Sequence, residues 1–289
     1  MLAEVIGLLR PTAGEAYLDL TAGYGGHAAA VIEATKSSEA ATLVDRDQNA
    51  VEALRSHFGS EPQIIQLDFL TASRQLAEQG KQFDIILADL GVSSPHLDQG
   101  ERGFSFRQAA PLDMRMDQSQ ALSAETIVNQ WNEADLADIL KRYGQEPKAR
   151  RIAGLIVQNR PITDTAQLAA LVKRAWPGVS RVHPATRTFQ AIRIAVNDEL
   201  EQLNQALPIW QDLLAPGGRL AVISYHSGED RLVKDHFKQA AEAGYEAEVE
   251  LLTKKPLLPS AHEIAINPRS RSAKLRAVVK IKRERTRYK

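Results

Sequence analysis

The sequence predicts an α/β fold in which a Rossmann-like domain carries an inserted all-helical domain. Short apolar strands alternate with helical segments over the first hundred residues. The alternation stops between about residues 100 and 196 and then resumes to the end of the chain. A glycine-dense turn closes the first strand and opens directly into a helical pattern. The expected division is therefore 1–103 for the first part of the sheet domain, 104–197 for the insert, and 198–289 for the second part with a basic tail.

The first strand covers 16–20 and leads into Leu18-Asp19-Leu20-Thr21-Ala22-Gly23-Tyr24-Gly25-Gly26-His27. Glycine allows the chain to turn sharply and a ligand to approach the main chain. The first amides of the next helix, 26–34, then face that ligand. A second strand, 41–45, ends in Asp45, about 20 residues past the glycines, where such folds bind ribose hydroxyls. The unit is thus shaped for an adenosine-containing cofactor. In Gly23-Tyr24-Gly25-Gly26-His27-Ala28 an alanine stands where the dinucleotide fingerprint needs its third glycine. The looser spacing favours S-adenosylmethionine over NAD.

Further along, 49–58 is helical, 64–67 is a short strand, 71–79 is helical, and 83–90 is a strand apolar enough to be buried on both faces. The insert shows helical segments at 124–131, 133–143, 148–158, 165–175 and 186–196, punctuated by Pro111, Pro147, Pro161, Pro177 and Pro184. A helix at 198–214, a turn at Ala215-Pro216-Gly217-Gly218 and a strand at 219–224 restart the alternation. A helix at 229–243 and strands at 246–253 and 275–281 complete it.

Composition narrows the chemistry. The chain has 289 residues, 44% hydrophobic, and no cysteine. Disulfides, thiolate metal sites and iron–sulfur clusters are excluded, and so are radical S-adenosylmethionine chemistry and a cysteine adduct on a pyrimidine. A methyl acceptor must then bring its own lone pair, as an amine or hydroxyl does. No apolar run reaches the ~18–20 residues of a membrane span, and the expectation is a soluble, cytoplasmic protein without a membrane partner. The net charge is zero, but residues 268–289 hold 10 Lys/Arg and one Glu, leaving 26 basic and 35 acidic residues elsewhere. Residues 141–193 hold 11 Lys/Arg against Glu146 and Asp164. Two basic regions on an otherwise acidic chain suit either a polyanion surface or solvated helix faces.

Ligands of open α/β sheets sit at the carboxyl ends of the strands. Asp45 is placed for the ribose diol, and Asp68 with Phe69 for the adenine, although an Asp at a strand end also serves as a helix cap. Asp89 opens Asp89-Leu90-Gly91-Val92-Ser93-Ser94-Pro95-His96, where amino-methyltransferases carry an acidic or polar residue followed by Pro-Pro-aromatic. Asp89, Ser93 or Ser94 would orient an exocyclic amine. His27 caps or lines the cofactor loop. The histidines are too scattered for a metal site. Beside these, Arg102, Phe104, Phe106 and Arg115 interleave cations with rings, which suits a stacked base or an apolar lid. Arg187 and Arg193 are candidate phosphate ligands, and His226, after the fifth strand, is assigned to the substrate side.

Taken together these runs resemble the bacterial ribosomal small-subunit methyltransferase H family, also called MraW. They are Thr21-Ala22-Gly23-Tyr24-Gly25-Gly26-His27, Asp45-Arg46-Asp47, Asp89-Leu90-Gly91-Val92-Ser93-Ser94-Pro95, Glu101-Arg102-Gly103-Phe104-Ser105-Phe106 and Pro111-Leu112-Asp113-Met114-Arg115-Met116. His183-Pro184-Ala185-Thr186-Arg187-Thr188-Phe189-Gln190 and Asn267-Pro268-Arg269-Ser270-Arg271-Ser272 follow in the same order. The resemblance implies S-adenosylmethionine-dependent methylation of a cytidine N4 amine in the decoding region of 16S rRNA, in the small ribosomal subunit. It implies cofactor contacts at Gly25, Gly26, His27, Asp45, Phe69, Asp89 and the position of His96. The family usually has Gln at position 96 and reads Phe-His-Ser-Leu-Glu-Asp where this chain has Tyr225-His226-Ser227-Gly228-Glu229-Asp230. Alternative readings are an RNA-binding ribosome-assembly protein without turnover, or an amino-methyltransferase for another nucleic acid. A homodimer is compatible with either.

Overall fold

A computed structural model describes residues 1–91, 102–106, 108–176, 178 and 183–281. Contacts divide the chain into two units, Met1–Gly91 with Leu200–Lys289, and Val92–Glu199.

The first unit is built on a seven-stranded sheet. Its strands are β1 (Tyr17–Asp19), β2 (Ala41–Asp45), β3 (Gln63–Gln66), β4 (Phe83–Asp89), β5 (Leu214–Ser224), β6 (Val249–Leu251) and β7 (Lys274–Lys280). The order is β3-β2-β1-β4-β5-β7-β6, parallel from β3 to β5, with β7 antiparallel to both neighbours. The chain runs outward from β1 to β3 and then returns to pair β4 on the other side of β1. The carboxyl ends of β1 and β4 therefore form the switch point, the crevice where such sheets hold ligands.

Alternation along the strands supplies a core on each face. Leu18, Ile86, Ala88, Leu220 and Val222 pack on one side with Trp210, and Tyr17, Ile85, Leu87, Ala221 and Ile223 on the other. Helices α1 (Leu2–Leu9), α2 (Gly26–Thr35), α3 (Gln48–Phe58) and α4 (Phe69–Glu78) precede the insert. Asp47 caps α3 by accepting the Asn49 N–H at 3.0 Å, and Asp68 caps α4 by accepting the Thr71 N–H at 2.8 Å.

Among its described residues the regular elements of the second unit are helices: α5 (Ala124–Gln130), α6 (Glu133–Arg142), α7 (Ala149–Gln158), α8 (Thr165–Ala175) and α9 (Ala185–Asn197). They enclose a separate core that includes Met114, Ile127, Leu136, Leu140, Ile152, Leu168 and Ile192. After it come α10 (Glu199–Asp212), α11 (Ser227–Ala241) and α12 (Ala261–Ile266).

Two features depart from the sequence expectation. Ala215-Pro216-Gly217-Gly218 lies inside β5, because the β4–β5 register shifts between Phe83 and Ile85 and absorbs the extra residues as an irregularity. Helices α1 and α12 are additional elements. In α1, Val5 and Leu9 bury against Tyr17 and Leu43. No helix among the described residues is long and apolar enough to cross a membrane.

Candidate active site

The turn after β1 is held by the carboxylate that ends the neighbouring strand β2. Gly23 donates its N–H to Asp45 Oδ2 at 2.8 Å, and Asp47 donates to Asp45 Oδ1 at 2.8 Å. Burial raises the Asp45 carboxyl, opposed by these two amides. Gly25 is the N-cap of α2 at φ 84°, and a Cβ there would stand 2.8 Å from a ring carbon of Phe58. Both the left-handed backbone and the close approach require glycine. At Gly26 a Cβ would meet no described residue within 4 Å. The first intrahelical bond of α2 is Ala29 N–H to Gly25 O at 2.8 Å, and Gly25 has no side chain with which to cap the preceding amides. Open amides at a helix start beside a strand-end carboxylate fit the polar groups of S-adenosylmethionine.

Asp89, the last residue of β4, is fixed from three directions. Its N–H donates to Thr21 Oγ1 at 2.6 Å, and its Oδ1 accepts the Tyr225 hydroxyl at 2.9 Å. Its Oδ2 lies 3.6 Å from His27 Nδ1. Burial pushes the Asp89 carboxyl up to about 6, opposed by the Tyr225 hydrogen bond and assisted by Glu229. Burial lowers the His27 imidazole, and its buried Nε2 has no hydrogen-bond partner among the described residues.

Asp19, which is 2% exposed, stands next to this group. It accepts the Tyr17 hydroxyl at 2.7 Å and the Thr21 N–H at 3.2 Å, and burial raises it to about 6. Two carboxyls raised to about 6 by burial, one imidazole and two phenols thus share the switch point. Such perturbed groups in a crevice mark a functional site.

Asp19 and Tyr225 belong to this cluster although neither was given a site role from sequence, where they stand only within the runs 18–27 and 225–230. The signal for Asp19 was a lone carboxylate in an apolar strand. The Tyr225–Asp89 bond spans 136 residues and has no local signature. Phe69 begins α4 and is 9% exposed, packed edge-on against Trp210 at 5.5 Å. Ser93, Ser94 and His96 lie outside the described residues.

The residues assigned to the substrate side divide differently, and several serve the fold. Arg102 is buried, and its Nη2 donates to the carbonyls of Arg115 at 2.9 Å and Met116 at 3.0 Å. Phe104 is buried in the insert core, 6.0 Å from the Arg102 guanidinium. Arg115 forms a two-pronged pair with Asp113 at 2.7 and 3.0 Å and donates to the carbonyls of Gln118 and Gln120. Arg193 forms another with Glu199, 2.8 Å in each arm. These guanidiniums are committed to protein acceptors, because a cation in a dry interior needs its own.

His226 caps α11. Its Nδ1 accepts the Gly228 N–H at 3.2 Å, and Glu229 returns the contact by accepting the Tyr225 and His226 amides. That box fixes the backbone that aims Tyr225 at Asp89. Phe106 and Arg187 remain nearer the surface. Phe106 stacks on His183 at 4.5 Å, and Arg187 is exposed, with one contact to Gln145 O at 3.4 Å.

A model of the MraW methylase family matches residues 1–281. A ribosomal RNA small subunit methyltransferase H from Cyanothece sp. is 53% identical over 280 residues, covering 95% of this chain and 90% of that protein. The protein of the same name from Nostoc punctiforme is 46% identical over 281 residues, covering 96% and 92%. That from Heliobacterium mobile is 43% identical over 305 residues, covering 97% of each.

Proposed function

We propose that this chain, which belongs to the MraW methylase family, methylates the exocyclic N4 amine of a cytidine in the decoding region of 16S rRNA. The rRNA assignment rests on the relatives' names. The amine assignment rests on Asp89: a carboxylate at the switch point whose Oδ1 is held by Tyr225. S-adenosylmethionine, when bound, supplies an electrophilic methyl group. The Gly23–Gly26 turn and Asp45 would hold its adenosine end, and the amides that open α2 would face it.

Asp89 Oδ2 is the acceptor for an amine N–H. Holding that N–H turns the nitrogen lone pair toward the methyl donor. As the nitrogen gains a methyl group its N–H becomes acidic, and Asp89, poised near 6, takes the proton and passes it on to solvent. No stronger base is needed, because the proton leaves only after the nitrogen has become cationic. Tyr225 is the positioning residue: its hydroxyl occupies Oδ1, so the carboxylate presents one oxygen in one orientation.

The test uses small ribosomal subunits from cells lacking the modification, with labelled S-adenosylmethionine and nucleoside analysis of the digested rRNA. A labelled N4-methylcytidine that disappears with Asp89→Ala supports the reading. Label in another nucleoside overturns the N4 assignment. No label despite cofactor binding favours the non-catalytic RNA-binding alternative.

A further inference from the structure

The arginines that cross the insert interior have protein acceptors, whereas a different set of cations has none among the described residues. Lys141, Arg150 and Arg151 are exposed, and among the described residues no side chain pairs with them. Lys141 and Arg150 line one surface cleft between α6 and α7, shared with Glu133 and Asp138. Arg142, also exposed, pairs with Asp138 at 3.2 Å. Glu146, the acid in the intervening loop, is buried and accepts the Lys148 N–H at 3.0 Å.

Contacts gather these cations at one end of the bundle. The loop 143–148 presses on the start of α9: a Cβ at Gly144 would stand 2.6 Å from Arg187 O, and Gln190 reaches Tyr143 O at 3.4 Å. Lys148 reaches Ala175 O at 3.0 Å and lies 4.1 Å over the Trp176 ring, tying the start of α7 to the end of α8. Arg187 leans over the same loop. One turn before it, exposed His183 lies stacked on Phe106.

The position of Arg150 and Arg151 is not explained by stability. Both fall in the first turn of α7, which has no acidic residue and no side-chain cap. A helix N-terminus carries the positive end of the backbone dipole and disfavours cations there. Lys141 sits at the last turn of α6, where the dipole favours it. Two uncompensated arginines at a helix start add to the local positive field and attract an anion from outside the protein.

We infer that the surface around the 143–148 loop, with Lys141, Arg150, Arg151 and Arg187 at its centre, docks the phosphate backbone of the RNA substrate. An exposed ring beside a guanidinium suits an unpaired base, which favours RNA over an acidic protein or an anionic lipid surface. The inference rests on the rRNA reading above and adds where the RNA is gripped.

The test is the triple variant Lys141→Gln, Arg150→Gln, Arg151→Gln in the full chain, with binding to an rRNA hairpin bearing unpaired cytidines measured across a salt series. Each lost phosphate contact lowers the slope of log K against log salt by ~0.7–0.9, so the triple variant should lose about 2–3 in slope. Its melting temperature should stay level or rise, because two cations leave a helix start. Unchanged affinity and slope overturn the docking surface, and so does a fall in melting temperature that accounts for the lost binding. Binding to anionic vesicles but not to the hairpin overturns the choice of RNA. Failure of the unaltered protein to bind any rRNA defeats the rRNA reading itself, a result distinct from equal binding by protein and variant.

Discussion

Buried charge is treated in opposite ways in the insert and at the carboxyl ends of β1 and β4. In the insert, Arg115 and Arg193 end in two-pronged carboxylate pairs, and Arg102 ends on two carbonyls. Asp113 is accordingly held below the ordinary carboxylate range by Arg115. At the strand ends of the sheet unit, Asp19 and Asp89 are raised to about 6 by burial, and their close partners are phenols rather than cations. Paired charges are stable in a dry interior, whereas a carboxylate without a counter-ion is costly to hold ionised there. If that contrast holds, substitutions in the two units should move stability and activity in different directions.

Asp89 gives the largest separation. Asp89→Ala should lower turnover by ~10²–10⁴-fold. Asp89→Asn should lower it too, while raising stability at neutral pH. The sign follows from the raised folded value: an unfolded Asp ionises near 3.9, so above about pH 6 the folded state holds a charge it disfavours. The stability gain should be full above about pH 6 and vanish below about pH 4, read by denaturant unfolding across pH. Loss of stability in Asp89→Asn at pH 7.5 would break the contrast.

Arg193 is the matching test in the insert. Arg193→Met should cost about 2–4 kcal/mol, because Glu199, at 8% side-chain exposure, loses both hydrogen bonds and stays buried. Cofactor affinity, measured by calorimetry on the folded fraction, should be unchanged. A stable variant with weakened RNA binding would return Arg193 to the phosphate role expected of it from sequence.

How much of this was legible depends on distance along the chain. The glycine turn, Asp45 and Asp89 stand out because each lies at the end of an apolar strand, and that pattern is local. Residues 141–193 stand out in sequence as one basic stretch, but which of its cations pair with carboxylates was not legible. A guanidinium with a carboxylate partner and one without read alike in sequence. Partnership depends on the turn at Asp198 that brings Glu199 back to Arg193, or on the fold that sets Met116 beside Arg102. His226 read as a site residue for a similar reason, since its role as a cap shows only through the Gly228 and Glu229 amides. Strand β5 was read short because Pro and Gly signal a turn, and the sheet absorbs them as a register shift.

Gly25 sharpens the comparison from the backbone side. Gly25→Ala should cost about 1–3 kcal/mol from the left-handed φ of 84°, with added strain against Phe58. Cofactor affinity should fall further than stability alone accounts for, because the first amides of α2 turn with it. Gly26→Ala, where the added Cβ meets no described residue within 4 Å, should leave the fold intact and lower cofactor affinity only. Equal effects at both positions would mean that the turn matters for packing and not for the ligand.

The smallest effect is expected at Tyr225, and it discriminates most finely. The hydroxyl donates to Asp89 Oδ1 and draws the carboxyl downward against burial. Tyr225→Phe removes that donor and keeps the ring, so the Asp89 value should climb from about 6 toward neutrality. Asp89 must be ionised to accept an amine N–H, so the acidic limb of kcat should move to higher pH. At pH 8.5 the variant should retain activity within a few-fold, and below pH 7 it should fall behind steeply. Tyr17→Phe serves as the control, because its hydroxyl donates to Asp19 and not to Asp89. A limb that moves in Tyr17→Phe and not in Tyr225→Phe would transfer the proton-accepting role to Asp19. A uniform loss at every pH would make Tyr225 a spacer for the ring alone.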